Sequence, residues 1–420
     1  MKRTIILAIF LLLRFSLFSQ IYQWRGDKRD GHFNESGLLS EWPAEGPGLL
    51  FEVEGIGVGF SSPIATEDAI YATGMIDSVD HLTAMDLQGN MIWQVPYGKS
   101  WTGSYPDTRS SPTIEGDRVY VLSGTGRLGC FNTGDGSEIW SVEVDTEFEA
   151  DWHNWGIAES PLIYENMVFC TPGGKKTSVV AFDKMNGRLL WQSESLGAQR
   201  SYVSPVIYEF NGQTYILAAT ARHLIALIPD SGEIVWSYNY FELQEWTSQP
   251  GLIWVNSPVF KEDEIFISKG YNHPAVMLKV DPSGRSVSEK YIDRTLDNHH
   301  HGIVMVGDYL YGSNWQSNSK GRWVCMNWET GEIMYEHDWF SKGSMVYADG
   351  MLYAYVERNG AVGLIRPTPE KFDLVSSFIV RKGTGPHWAH PYIRDGRMYL
   401  RHGDFMIVYD IRDHQGGSVL

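Results

Sequence analysis

The chain has 420 residues, and glycine (43), tyrosine (22) and tryptophan (16) are abundant. This balance is typical of many short β-strands joined by tight turns. Acidic residues outnumber basic ones, 51 to 34, which argues against nucleic acid or an anionic membrane surface as a partner. Cys130, Cys170 and Cys325 lie far apart in apolar stretches, so we expect buried free thiols.

The first residues in chain order predict an export signal. A basic start, Lys2-Arg3, precedes an apolar run over 5–13, and the small residue Ser19 follows. The apolar run is too short for a permanent membrane span, and no cysteine stands near position 20 to carry a lipid anchor. We therefore expect residues 1–19 to be a signal peptide and the mature protein to be soluble, periplasmic or secreted, without membrane insertion.

A strand opening that contains Ser-Pro, or a weaker variant of it, recurs eight times. The aligned positions are Ser62, Ser111, Ser160, Ser204, Ser257, Gly302, Ser344 and His390. Neighbouring copies are about 45 residues apart, a period typical of four-stranded propeller blades.

A second signal follows each of the first four openings. A glycine stands four positions before a tryptophan, at Gly89/Trp93, Gly136/Trp140, Gly187/Trp191 and Gly232/Trp236. Glycine suits a tight hairpin turn, and an indole one strand later offers a large face to a neighbouring sheet. We interpret these tryptophans as packing between blades.

Together the repeats predict an all-β fold, a single eight-bladed β-propeller with four-stranded antiparallel blades. The last unit, ending at 405–412, has no outer strand of its own. The segment 46–55 resembles that strand, with Phe51 in the tryptophan position. We therefore expect an N-terminal strand to close the ring. In this division residues 20–45 form an N-terminal extension and residues 46–414 form the propeller.

Three sequence features carry a family resemblance. The runs WRGDKRDG (24–31) and GLLSEWP (37–43), with the recurring A-x-D-x-x-x-G-x-x-x-W signature, resemble quinoprotein-type propellers, whose repeats are named after pyrroloquinoline quinone (PQQ). The resemblance covers nearly all of the chain after the leader and implies the propeller fold. The family contains PQQ-dependent dehydrogenases and also cofactor-free proteins, such as the outer-membrane assembly scaffold, so the fold alone does not give a function.

For a dehydrogenase, the resemblance implies PQQ beside a calcium ion held by glutamate, asparagine and aspartate. Glu159, Asn154, Asn256 and Asp297 are the residues available for calcium, but no spacing singles them out. The chain also has no adjacent cysteines, which alcohol-oxidising members often join in a disulfide. No cofactor is therefore assigned, and PQQ with calcium stays an alternative.

The loops that lead into the repeated strands are rich in indole, imidazole and guanidinium groups, and in a propeller such loops meet at one channel mouth. The candidate ligand-binding residues are Arg109, Trp152, His153, Glu159, Arg200, Trp254, Asn256, His299, His301, His387, Trp388 and His390. Because strand side chains alternate, we expect the members at 254, 256, 299, 301 and 387 to lie near the mouth. His300 is expected to point the other way.

These residue types predict a site for a small polar ligand with apolar faces, such as a sugar or a quinone acid. No metal site is assigned, because adjacent histidines in a strand diverge. A solvated mouth is the alternative, with Arg109 and Arg200 paired to Glu159 or Asp107 at its rim.

The sequence leaves catalytic residues unassigned. Three classes stay open: a ligand-binding propeller, an enzyme, and a periplasmic scaffold for outer-membrane protein assembly with a protein partner. The enzyme would be either a PQQ-dependent alcohol or sugar dehydrogenase or a carbohydrate-active enzyme assisted by histidines.

Overall fold

A computed structural model describes residues 20–151, 154–243 and 253–414. Within these ranges the chain folds into eight antiparallel sheets, the blades of a propeller. Helix is limited there to α1 (Val144–Glu147) and one 3-10 turn (Tyr240–Glu242). The predicted all-β, eight-bladed fold is confirmed.

The strands follow the chain blade by blade. Three precede the first blade: β1 (Ile21–Tyr22), β2 (His32–Phe33) and β3 (Gly48–Val53). Blades 1 to 4 contain, in groups of four, β4 (Ile64–Ala65), β5 (Ile70–Ile76), β6 (Val79–Met85) and β7 (Met91–Lys99); β8 (Thr113–Glu115), β9 (Arg118–Leu122), β10 (Arg127–Asn132) and β11 (Glu138–Glu143); β12 (Leu162–Tyr164), β13 (Met167–Cys170), β14 (Val180–Asp183) and β15 (Leu189–Gln192); β16 (Val206–Phe210), β17 (Gln213–Ala219), β18 (His223–Leu227) and β19 (Ile234–Asn239).

Blades 5 to 7 contain β20 (Val259–Lys261), β21 (Glu264–Ile267), β22 (Ala275–Val280) and β23 (Val287–Asp293); β24 (Val304–Val306), β25 (Tyr309–Ser313), β26 (Trp323–Asn327) and β27 (Ile333–His337); β28 (Gly343–Ala348), β29 (Met351–Val356), β30 (Ala361–Arg366) and β31 (Asp373–Ile379). Blade 8 contains β32 (Tyr392–Arg394), β33 (Arg397–His402) and β34 (Phe405–Asp410), and its fourth strand is β3.

The Gly-Trp signal joins each of the early blades to the next one. Trp140 on β11 donates its Nε1 hydrogen to the carbonyl oxygen of Lys184 in blade 3, at 3.0 Å. Trp93 and Trp191 make the corresponding contact from blades 1 and 3. A Cβ placed on Gly187 would lie only 2.6 Å from the Trp140 ring, so the glycine lets the turn lie directly on the indole. Packing between blades is confirmed for these three tryptophans.

The ring closes through β3, which pairs antiparallel with β34 as the outer strand of blade 8. Phe51 on β3 takes the place of the tryptophan, because a Cβ on Gly89 of blade 1 would lie 2.6 Å from its ring. The predicted closure by an N-terminal strand is confirmed. Closure in a ring buries both faces of every blade against its neighbours.

The serines of the repeated openings form a belt of bonds between blades. The backbone amide of Ser62 donates to Ser111 Oγ at 2.9 Å. In the same way Ser111 donates to Ser160 Oγ at 3.1 Å, and Ser160 donates to Ser204 Oγ at 2.9 Å. Each hydroxyl oxygen therefore satisfies an amide of the preceding blade, which explains why serine recurs at this position.

Residues 23–31, here called the channel plug, run through the centre of the ring. The strand before the plug, β1, pairs with β8 of blade 2, and the strand after it, β2, pairs in parallel with β28 of blade 7. Two buried arginines anchor the plug to main-chain carbonyls. Arg29 donates to Ser160 at 2.9 Å and to Pro205 at 3.1 Å, while Arg25 donates to Ile303 at 2.9 Å and to Met345 at 3.2 Å. The plug therefore ties blades 3 and 4 to blades 6 and 7.

Two other expectations concern the cysteines and the membrane. Cys130, Cys170 and Cys325 are buried and free, as expected. In the part of the chain that the structure describes, no helix has the length and apolar character to cross a membrane. The signal peptide expected over residues 1–19 lies outside the described residues.

Candidate functional site

A cavity of about 300 Å³ lies where the entry loops of the blades meet. Entry loops of blades 1 to 6 and 8 all contribute to its wall, and the channel plug contributes one tryptophan. The aromatic members of the wall are Trp24, Phe60, Tyr105, Trp155, Tyr202, Tyr271 and Trp388. The polar members discussed below are Arg109, Ser111, Ser160, Ser204, His299, His300, Glu357 and His390.

The candidate residues divide into three groups. Arg109, His299, Trp388 and His390 line the cavity. Trp152 and His153 lie outside the described residues. The structure places the other six away from the cavity wall: Glu159, Arg200, Trp254, Asn256, His301 and His387.

Arg200 and Glu159 are buried and already have partners. The Arg200 guanidinium forms an ion pair with Asp145 of α1 at 2.7 Å, not with Glu159 as the rim alternative proposed. Both Glu159 carboxylate oxygens accept from the Thr171 amide, at 3.0 and 3.1 Å. Burial raises the pKa of Glu159 to about 7, although the positive charge of Arg200 opposes the shift.

Trp254, Asn256 and His387 also turn away from the mouth. Trp254 is fully buried in an apolar cluster, and Asn256 donates its amide hydrogen to the Asn298 carbonyl at 2.6 Å. His387 stacks on His402 with ring centroids 3.5 Å apart. The expectation that these residues share a face at the mouth is wrong, because each precedes its strand and the period of two holds only within a strand.

The three consecutive histidines illustrate the same point. His300 lies in the cavity wall, whereas His301 is fully buried and its Nε2 lies 3.3 Å from Glu357 Oε2. The expectation that His300 points away is therefore wrong. The rings of His299 and His300 are 4.1 Å apart at their centroids, because the chain bends at 300–301 before β24 instead of continuing as an extended strand.

Two of these imidazoles are neutral at pH 7. Burial lowers the pKa values of His299 and His300 well below 6.5, and the positive charge of Lys342 lowers both further. A neutral imidazole has one donor and one acceptor nitrogen. The two rings therefore offer both kinds of hydrogen bond to a ligand without adding charge.

Glu357 organises this side of the cavity. Its carboxylate accepts a hydrogen bond from Trp388 Nε1 at 3.1 Å and forms a buried ion pair with Lys342. His301 is its third neighbour. These contacts hold the Trp388 ring in place at the cavity wall.

Potential metal-donor atoms of His300, His301 and Glu357 lie within 4.8 Å of one another, a grouping that the sequence did not predict. The Lys342 ammonium, which already neutralises Glu357, opposes a dication at this point.

Several wall residues lie outside the entry loops that the repeats mark. Trp24 lies in the plug, and Glu357 and Tyr271 lie in loops between strands within blades rather than in entry loops. A repeat alignment marks the entry loops only, so these residues stand outside its pattern. Only closure of the ring brings them to the same mouth.

The residues do not fit calcium beside PQQ. None of the four available residues lies in the cavity wall. The Asp297 carboxylate accepts from the amides of Asn272 and Trp315, at 2.8 and 3.0 Å, and Glu159 is occupied by Thr171. The only carboxylate in the described wall is Glu357, paired with Lys342, whereas calcium takes six to eight oxygen ligands.

Solved structures show the same fold. BamB from Moraxella catarrhalis is 14% identical, with a TM-score of 0.64, over 86% of this chain and 99% of that one. A quinohemoprotein alcohol dehydrogenase from Comamonas testosteroni is 13% identical, with a TM-score of 0.66, over 93% of this chain and 80% of that one. The fold and its repeats thus define a PQQ-repeat propeller, as the sequence resemblance implied.

The family model described as "Outer membrane protein assembly factor BamB" matches residues 78–334, more than half of the chain, and the protein belongs to this family. The match ends before blades 7 and 8, which supply Glu357, Trp388 and His390 to the cavity.

Two curated relatives carry the same description. The one from Alkalilimnicola ehrlichii is 25% identical over 182 residues, 42% of either chain. The one from Burkholderia pseudomallei is 24% identical over 166 residues, 37% of this chain and 40% of its own. The matched stretch thus spans about two-fifths of each relative's length.

Proposed function

We propose that the protein binds a small sugar-like ligand in the cavity at its channel mouth. The main support for this proposal is a row of serine hydroxyl groups that can each still donate a hydrogen bond. The hydroxyl oxygens of Ser111, Ser160 and Ser204 each accept a bond from the preceding blade. Within the described residues, their hydroxyl hydrogens have no acceptor. Three donors in one wall suit a ligand that is rich in oxygen atoms.

Neighbouring aromatic rings in the cavity wall are inclined to one another. Trp388 is inclined at 54° to Phe60 and at 51° to Tyr105. On the opposite wall Trp155 is inclined at 54° to Tyr202. The chair of a pyranose presents apolar faces to rings at different angles. The inclined rings therefore support a sugar as the ligand.

Titration calorimetry with monosaccharides and disaccharides tests the proposal. We expect Trp388→Ala to weaken binding at least tenfold, since the ring and its bond to Glu357 are both lost. Phe340→Ala is the matched control, because Phe340 is an aromatic residue 65% exposed and outside the cavity wall. A parallel incubation with PQQ and calcium, followed by absorbance, addresses the dehydrogenase alternative. A stoichiometric bound chromophore would contradict our proposal.

We also propose export of the protein to the periplasm or the medium, supported by the leader sequence and by the family. Fractionation of the native cells, with sequencing of the mature N-terminus, tests this. Cleavage near Ser19 is expected, and an intact Met1 in the cytoplasmic fraction would contradict it.

A protein partner is the second candidate function, favoured by the family's description as an assembly factor. Leu49 on β3 and Ile92 on β7 are each 54% exposed on the outer strands of neighbouring blades. Outer strands offer free backbone groups to a partner strand. Cross-linking in native cells tests this candidate: a Leu49→Asp/Ile92→Asp variant should lose a cross-linked outer-membrane assembly component, while Phe340→Asp should keep it.

A further inference from the structure

Arg109 is the single cationic side chain in the cavity wall among the described residues. Its Nη1 donates to the Asp107 carbonyl at 3.0 Å, and its Nη2 donates to the Tyr105 carbonyl. The guanidinium carbon lies 5.6 Å from the centre of the Phe60 ring. These contacts fix the group in place while leaving its other N–H groups available.

The charge of Arg109 has no counter-ion in contact. Among the described residues, no carboxylate oxygen lies within 4.0 Å of its nitrogen atoms, whereas the buried Arg200 has Asp145 at 2.7 Å. The sequence left open a solvated mouth in which Arg109 pairs with the carboxylate of Glu159 or Asp107. In the structure Asp107 binds it through the backbone carbonyl instead of the carboxylate.

The rest of the wall does not compensate this charge, and the carboxylates of Asp107 and Asp80 act on Arg109 only from outside the wall. Glu357 is neutralised by Lys342, and the imidazoles of His299 and His300 are neutral. The wall therefore carries net positive charge in a protein that is acidic overall. Such a local reversal attracts an anionic ligand to the mouth.

We propose that the ligand carries a carboxylate and is a uronic acid sugar, whose carboxylate pairs with Arg109 while its ring packs between the tilted aromatic side chains. The proposal rests on the sugar-binding function proposed above and specifies its ligand class. Guanidinium groups bind carboxylates in a two-pronged geometry that an ammonium group cannot reproduce. The hydroxyl groups of the serines then donate hydrogen bonds to the oxygen atoms of the sugar ring.

The test measures binding of glucuronate and galacturonate against glucose and galactose, by calorimetry on the mature chain at low salt. We expect the uronates to bind at least tenfold more tightly, which is about 1.4 kcal/mol. Arg109→Gln should remove this preference, and Arg109→Lys should restore only part of it. Arg188→Gln, an exposed cation on an outer turn of blade 3, is the matched control.

The outcomes separate this inference from the function on which it rests. Neutral sugars that bind as well as uronates, with Arg109→Gln unchanged, would overturn the inference and leave sugar binding intact. A protein that binds neither class would overturn both. Arg109-dependent binding of PQQ without binding of uronates would also overturn both. Circular dichroism of each variant verifies that a lost signal is not lost folding.

Discussion

At the scale of single residues, the turn glycines have two separable roles. Gly187 has φ 73° and Gly197 has φ 66°, both in the left-handed region. A Cβ on Gly187 meets the Trp140 ring, whereas a Cβ on Gly197 meets no atom within 4 Å. The repeat therefore requires glycine at this position for two reasons: the turn lies directly on the indole ring of the neighbouring blade, and its backbone has a positive φ.

Gly187→Ala should lower the free energy of unfolding by about 2 to 4 kcal/mol, since it adds overpacking to backbone strain. Gly197→Ala should cost about 1 to 2 kcal/mol, because only the backbone strain applies. Urea titration of both variants measures the difference. Equal losses would show that approach to the indole contributes nothing.

His387 makes stability depend on pH. Burial, which is the largest cause, and His402 together lower its pKa to about 4, although a bond to the Glu357 carbonyl opposes the shift. The folded protein therefore binds this proton less readily than the unfolded chain, whose histidines titrate near 6.5. The contribution of His387 to stability is complete above pH 6.5 and is lost as pH falls towards 4.

His387→Gln should flatten the dependence of unfolding free energy on pH between 6.5 and 4. Denaturant titrations at several pH values measure it, with exposed His414→Gln as the control. An unchanged slope in His387→Gln would contradict the role assigned to burial.

The directions of side chains in the loops were predicted wrongly from the sequence. The strand rule placed His301 and Asn256 at the mouth and turned His300 away, yet these residues precede their strands. Glu159 and Arg200 were predicted to bind a ligand or to pair at the rim, but their partners, Thr171 and Asp145, come from other segments. Such pairings depend on tertiary contacts that no local pattern encodes.

At the scale of elements, repetition made the strands predictable. Each blade needs a turn glycine, a packing aromatic residue and an inner strand, so the same residue types recur at the same positions of the repeat. For this reason even the closing strand β3 could be recognised in the sequence. The plug was recognised as a family motif within an N-terminal extension, but its position in the ring was not predicted, because it occurs once and its role depends on carbonyls from distant blades.

Phe51→Ala should destabilise the closure of the ring by about 2 to 3 kcal/mol, somewhat less than for a fully buried phenylalanine. Its neighbour Leu50 is 39% exposed on the same strand, and Leu50→Ala should change stability by less than about 0.5 kcal/mol. Thermal unfolding of both variants tests this. If the two variants unfold alike, Phe51 does not replace the tryptophan.

At the scale of the whole molecule, the plug couples opposite sides of the ring, because Arg29 binds blades 3 and 4 while Arg25 binds blades 6 and 7. Arg29→Met keeps the volume but leaves the carbonyls of Ser160 and Pro205 without their donor, and we expect a loss of about 3 kcal/mol. Lys28→Met is the control, because Lys28 is exposed in the same segment. Urea titration distinguishes them, and an unaffected Arg29→Met would show that the plug is not a structural tie.

Closure of the ring also governs the order of folding. The strand that completes the last blade is among the first to be synthesised, and its partner β34 is the last strand of the described residues. An incomplete polypeptide therefore cannot circularise, whichever blades it already contains. During synthesis the N-terminal segment stays unpaired until the final hairpin emerges, so this architecture folds to completion only once both segments are present.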